Sequence, residues 1–206
     1  LDYQPRGPAY MASVSSNHLR MNEDDGIGFD ARLKLEPGKI GIERAVVRRI
    51  GAESIVHGEV TDFKNPVFAA TVKAAQPLPE LGITGVRRGT ATWDAAVRFD
   101  SSGYSASGPV SVSGLGWQSA AFRIDRAELR GDALLENGVV TLERATASAL
   151  GGTWSGKAEL RDWHSLKLDG VLSGVSLAAA LGAIPDAKFP WDGSISGPVS
   201  LTTRIG

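Results

Sequence analysis

Alternation with a period of two is the feature that most restricts this chain. In Phe29-Asp30-Ala31-Arg32-Leu33-Lys34-Leu35-Glu36, every second residue is apolar and those between are charged. The same pattern returns in Phe122-Arg123-Ile124-Asp125, Val140-Thr141-Leu142-Glu143, Ala158-Glu159-Leu160-Arg161 and Leu166-Lys167-Leu168-Asp169. Successive side chains of a strand point to opposite faces, so each segment has one apolar and one charged side. Strands of that kind build antiparallel sheets wetted on one face; strands of a parallel sheet, covered on both faces, read as continuous apolar runs. Turn residues divide the segments: Pro37-Gly38, the Asn137-Gly138 pair of a two-residue hairpin, Asp100-Ser101-Ser102-Gly103 and Leu150-Gly151-Gly152. The pattern predicts roughly ten to fourteen strands in a meander. It gives an all-β fold, an open, twisted antiparallel sheet.

Helix is confined to two short stretches. Residues 175–182 are Ala-rich, with Gly182 placed to end a helix and Pro185 beyond it. Residues 77–82 predict a shorter helical turn with Pro79 near its start. A helix this short is marginal alone and has to dock on the sheet.

The chain also repeats. Shifted by 100 positions without gaps, residues 35–82 match 135–182 at eleven identities, among them Glu43-Arg44-Ala45 with Glu143-Arg144-Ala145. Chance gives roughly three. Apolar character persists elsewhere, as in Ile42 and Leu142, or Phe63 and Trp163. Trp93-Asp94 pairs with Trp191-Asp192 after a slip of two residues. The expected unit is several strands, a short helix and a Trp-Asp strand opening, with units at about 27–94 and 121–201 inside one 1–206 segment of a longer repeat.

Composition removes several chemistries. Cysteine is absent, which excludes disulfides, thiolate catalysis and cysteine-held metals. Lys+Arg 22 against Asp+Glu 23 leaves no basic excess for a nucleic-acid partner. The longest apolar stretch, near 175–184, falls short of the roughly 20 residues of a membrane-spanning helix, and no signal peptide opens the chain. That opening, and an end at Arg204-Ile205-Gly206 inside what reads as a strand, predict a segment of a longer protein.

No catalytic constellation emerges. His18, His57 and His164 are far apart, and His164 beside Asp162 reads as a solvated turn. No G-x-S-x-G elbow, dinucleotide fingerprint or P-loop occurs, and Gly151-Gly152-Thr153-Trp154-Ser155-Gly156 reads as a turn entering a strand. Glu23-Asp24-Asp25 lacks the alternating oxygen ligands of a calcium loop and reads as a polar turn. The tryptophans, Trp93, Trp117, Trp154, Trp163 and Trp191, are read as bulky filling on the concave or core side of the sheet; a carbohydrate-stacking platform is the alternative. The expectation is no enzyme, no cofactor and no metal.

Particular motifs resemble a known family. The run 135–145, Leu-Glu-Asn-Gly-Val-Val-Thr-Leu-Glu-Arg-Ala, continues into Gly151-Gly152-Thr153-Trp154-Ser155-Gly156-Lys157-Ala158-Glu159-Leu160. A short helix over 177–184 and then Trp191-Asp192-Gly193-Ser194-Ile195-Ser196-Gly197 follow. This pattern resembles the AsmA-like and TamB-like proteins of Gram-negative envelopes, bridge-like lipid-transfer proteins, best over 121–201 and less closely over 27–94. The resemblance implies a sheet curved into a taco or half-pipe whose concave face is greasy along its length. It implies a periplasmic place in a protein anchored in the inner membrane, with phospholipid acyl chains as cargo and an outer-membrane barrel or inner-membrane protein as a partner through other parts of the chain. It carries no catalytic residue.

The residues expected to line the groove are Phe29, Leu33, Leu35, Ile42, Phe122, Ile124, Leu142, Leu160, Leu168 and Leu172. They share a parity within each strand, and turns that keep register put them on one side. Arg32, Lys34, Arg123, Asp125, Glu143 and Arg161 then face water. The alternative is a closed β-sandwich or solenoid, a scaffold or adhesin-like module binding protein or polysaccharide on its outside, in which the same residues close onto one another as a core.

Overall fold

A computed structural model describes residues 9–21, 24–49, 51–162, 164–185 and 192–204. Twelve strands follow one another in space as they do in sequence, each antiparallel to the next, in one sheet. They are β1 (Tyr10–Met21), β2 (Asp24–Glu36), β3 (Lys39–Arg49), β4 (Ala52–Thr61), β5 (Val67–Pro77) and β6 (Val86–Asp100). The second half holds β7 (Gly103–Gln118), β8 (Arg123–Glu136), β9 (Val139–Ala149), β10 (Gly152–Arg161), β11 (Ser165–Ser176) and β12 (Ser194–Arg204). The sheet does not close, because β1 and β12 are its two edges. A sandwich of two facing sheets is therefore not the architecture.

The turn chemistry acts as its residues dictate. Asn137 and Gly138 both take positive φ, 46° and 86°, the conformation that a two-residue hairpin needs to match strand twist. Asn137→Val is expected to destabilise the chain by roughly 1–2 kcal/mol, since a β-branched side chain is strained there. Urea unfolding measures it. At the next hairpin on that rim, the Asp100 carboxylate accepts the Ser102 backbone N–H at 2.8 Å.

Helix is as scarce as the pattern predicts. A 3-10 turn spans Leu78–Leu81 and ends at Gly82 in the left-handed region, φ 67°. The one α-helix, α1 (Leu177–Gly182), begins where Ser176 Oγ accepts the Ala179 N–H at 3.2 Å. Gly182 is its last residue but not a left-handed cap; Ala183 follows in ordinary right-handed geometry. Both helical segments lie on the rim that joins odd strands to even ones. There α1 reaches back over the ends of β9 and β10, and the Ala183 carbonyl accepts the Arg123 N–H of β8 at 2.7 Å.

Elements recur at the 100-residue offset. β3 and β9 start at residues 39 and 139, β4 and β10 at 52 and 152, and a helical segment follows β5 and β11 alike. Backbone singularities recur with them. Asp62 and Asp162 have φ of 52° and 51°, and Gly51 and Gly151 have φ of 71° and 76°. Glu43-Arg44 and Glu143-Arg144 each carry one surplus residue that shifts the register with both neighbouring strands, but the ladder pairs Arg44 with Arg32 in one and Glu143 with Asp132 in the other, and Arg144 alone takes a positive φ, 47°. A bulge of this kind bends its strand and increases its twist. Ala45 and Ala145, next to the bulges, are 5% and 1% exposed.

Candidate functional site

Directly opposed residues of an antiparallel ladder share a face, so register alone traces the apolar side across the sheet. Leu33 and Leu35 of β2 lie opposite Ile42 and Ile40 of β3, which lie opposite Gly58 and Val60 of β4. The same line runs through Ala70 and Phe68, Val97 and Phe99, and Ala106 and Tyr104. It continues through Leu135 and Val140 to Leu160, Leu166 and Thr203, with Leu142, Ala158, Leu168 and Leu201 alongside. A second row lies across the strands nearer the other rim: Phe29, Val47, Ser54, Ala74, Trp93 and Val110, then Leu129, Ala147, Trp154 and Leu172. No position in either row carries a charge.

Between the rows runs a line of the smallest residues. Ala31, Ala45, Ala95, Ala133 and Ala145 are all buried, and Gly156 and Gly170 continue the line into β10 and β11; on β4 and β5 the place between the rows is taken by Val56 and Val72. Eight of the eleven buried apolar residues among those described, these alanines with Ala70, Ala106 and Trp154, lie on this one face. Among the described residues no second layer covers it, since strands make substantial contacts only with their sequence neighbours and the short helical segments. Burial of an alanine without a covering layer requires the flanks of its own sheet to rise around it. We read the apolar face as the concave one, with the small residues in its crease; Val46, 1% exposed, is buried on the opposite face beside the β3 bulge. Space there is minimal: a Cβ on Gly156 would stand 2.6 Å from Gly170 Cα.

Nine of the ten expected lining residues, Phe29, Leu33, Leu35, Ile42, Ile124, Leu142, Leu160, Leu168 and Leu172, are strand residues that register places on this face. All nine are half-buried, none sealed. Phe122 lies outside the strand ladder, so register does not place it. It precedes β8 in the rim connection, where its ring centroid is 6.5 Å from that of Trp117, which is the register partner of Ile124. Parity alone also fails between Ile42 and Ala45, three residues apart on one face; the bulge restores the side.

The tryptophans hold the concave wall. Trp154 is 7% exposed, and a Cβ on Gly170 would meet its Nε1 at 2.5 Å, so the indole rests on glycine backbone. Trp93 Nε1 donates to the Gly108 carbonyl at 3.1 Å, and Trp117 Nε1 donates to that of Thr84 at 3.1 Å. Trp163 and Trp191 lie outside the described residues, as do Glu23 and the side chains of Asp24 and Asp25.

The opposite face is ionic. Lys34 and Glu36 pair at 2.8 Å, Lys39 and Glu59 at 2.5 Å, Arg48 with Asp30 at 3.0 Å, and Lys167 with Asp169 at 3.3 Å. These contacts hold charges in place. The Lys34 ammonium keeps the Glu36 carboxyl below its ordinary range, Arg161 does so for Glu159, and the Ser200 hydroxyl with Lys167 does so for Asp169. Glu59 pushes Lys39 up. A depressed carboxylate stabilises the fold above its ordinary pKa and loses that contribution as pH falls through its folded value, so acid loosens this face. The effect is small for groups so exposed. His164 is exposed in the turn after β10, and its Nδ1 contacts the Asp162 carbonyl. Among the described residues, no group of three or more His, Asp or Glu could hold a metal ion, and no helix is long and apolar enough to cross a membrane.

Comparison of the chain with protein-family models, with curated proteins and with solved structures finds no match in any of the three. The groove geometry therefore stands on its own residues.

What sequence reasoning missed is the crease. Its signal is present in the chain: small residues recur mid-strand beside repeated Glu-Arg-Ala triplets, where an ordinary half-buried strand would place a larger apolar side chain.

Proposed function

We propose that this chain is a section of a non-enzymatic phospholipid-transfer conduit of the AsmA-like and TamB-like kind, holding acyl chains along its concave face. One observation carries the reading: among the described residues an uncharged face runs across the twelve strands, curved inward and covered by no second layer. Exposed apolar surface of that extent marks an interaction site. Eleven inter-strand steps give the trough a length of about 50 Å along the hydrogen-bonding direction. Each methylene moved out of water is worth about 0.8 kcal/mol, so an acyl tail leaves a bilayer only for a surface that follows most of its length. Two half-buried walls flanking a narrow floor supply such a surface.

Transfer of this kind needs no catalytic group, cofactor or metal. The same reading puts the chain in the periplasm, within a protein anchored in the inner membrane, with membrane or barrel partners engaged through other parts. Saturable binding of a fluorescent phospholipid by the purified chain, displaced by unlabelled phospholipid, is the expected result. No binding of either lipid or a hydrophobic dye overturns the reading and favours a scaffold that binds protein or polysaccharide on its outer face.

A further inference from the structure

The polar face has its own concavity, a depression of about 560 Å³ whose lining includes Ser13, Ser15, Arg32, Glu43, Arg44 and His57. Arg32 and Arg44 are register partners across β2 and β3. Directly opposed side chains stand about 5 Å apart at Cβ, and like charges in that relation destabilise the pair. Among the described residues neither guanidinium has an ion-pair partner, whereas Arg48 in the same depression is neutralised by Asp30 and Glu53 at 3.0 and 3.1 Å. The second unit solves the same local problem internally. At positions 132 and 144, a hundred residues on from 32 and 44, Arg144 pairs with Asp132 at 2.7 Å, although the ladder there sets Asp132 opposite Glu143. With Arg32 in the place of that acid, two open cations face one another across β2 and the bulge of β3.

We infer that this depression is an oxyanion site, taking a phosphate or the phosphate group of a phosphate ester between Arg32 and Arg44. Two planar guanidinium forks suit the several oxygens of a tetrahedral dianion, each donating two N–H bonds in parallel. Ser13 and Ser15 add hydroxyl donors from β1 at the same wall. The His57 ring is tethered at the bulge, its Nδ1 contacting the Glu43 carbonyl, so the imidazole is held beside the two arginines. Glu43 is the one carboxylate of the depression without an ion-pair partner, and it leaves the two open arginines in excess. The site lies on the face opposite the apolar trough, and the inference does not rest on acyl-chain binding.

The test titrates the purified chain with inorganic phosphate, with glycerol 3-phosphate, and with phosphatidylcholine vesicles containing or lacking phosphatidic acid. One saturable site for phosphate or its ester is expected. Arg32→Asp recreates the counter-ion of the second unit, so binding falls by about tenfold or more while the melting temperature holds or rises. Arg32→Gln, which removes the charge without adding its opposite, gives the same loss and guards against a folding artefact. Glu43→Gln tightens binding, and Asp132→Arg adds a second site. A response to phosphatidic acid vesicles alone, abolished by Arg32→Asp, assigns the anion to a lipid headgroup. Absence of any saturable response, or binding unchanged in both Arg32 variants, overturns the inference.

Discussion

Leu168→Asp is expected to leave the chain folded and to abolish its capacity for acyl chains. Leu168 lies between Ala158 and Leu201 on the concave face, half-buried, with no layer above it. In the empty trough an aspartate there reaches water, so the loss is that of part of a leucine's burial, about 1–2 kcal/mol. In a trough filled with acyl chains the same carboxylate is shut away from water without a partner. That costs several kcal/mol, or about two orders of magnitude or more in affinity. Leu142→Asp, at the equivalent place opposite Ala133 and Ala158, is expected to behave alike. Val171→Asp is the control: Val171 faces the other way, 51% exposed, so both stability and lipid binding persist. A sealed core would respond differently, since an unpaired buried charge there costs about 3–5 kcal/mol of stability. Thermal unfolding and phospholipid binding, read on the same samples, separate the two outcomes.

Gly156→Val is expected to act on the fold itself. Its new Cβ would meet the Gly170 Cα at 2.6 Å and the Asp169 carbonyl more closely still, both backbone atoms of the neighbouring strand. Backbone cannot yield as a flexible side chain can, so the crease has to open locally. Overpacking of this kind costs about 1–3 kcal/mol, and more where nothing can move. In a chain of 206 residues each lost kcal/mol lowers the melting temperature by about 2–4 °C. A fall of roughly 5–10 °C follows. Gly182→Ala is the contrast, because nothing lies within 4 Å of the Cβ it adds to α1 and alanine favours a helix. That variant is expected to be neutral or slightly stabilised. Equal melting temperatures for the two variants would mean that the crease is not a packed feature.

Much of this architecture is legible in the chain because a strand's period is rigid. Leu33 and Leu35 fall on one side and Arg32 and Lys34 on the other whatever the tertiary context, and Asn137-Gly138 fixes how β8 returns as β9. The bulges are harder to read. Glu43-Arg44 and Glu143-Arg144 add a surplus residue to their strands, and a count of two from Ile42 arrives at Arg44 rather than at Ala45. A bulge is a relation between strands, invisible in either one alone. Phe122 shows the complementary limit. It alternates with Ile124 in sequence, yet the strand begins only at Arg123, and its ring goes to Trp117 at the rim.

Curvature comes from a combination that no single segment contains. Alanines and glycines spread over seven strands become a crease only when registers align them, and each alone reads as an undistinguished apolar position. The polar depression was equally hidden. Arg32 and Arg44 read separately as solvated charges of two alternating strands. Their opposition depends on the bulge-shifted register of β2 with β3, and its meaning depends on the ion pair between Asp132 and Arg144 a hundred residues on.

Native mass spectrometry of the chain as purified from a cell, followed by extraction and identification of what it carries, tests the central claim most directly. The account predicts mass additions that match phospholipids, removed by organic extraction and lost in Leu168→Asp while the variant remains folded. A chain that emerges bare, stays bare after incubation with phospholipid vesicles, and unfolds when Leu168 is charged would contradict it.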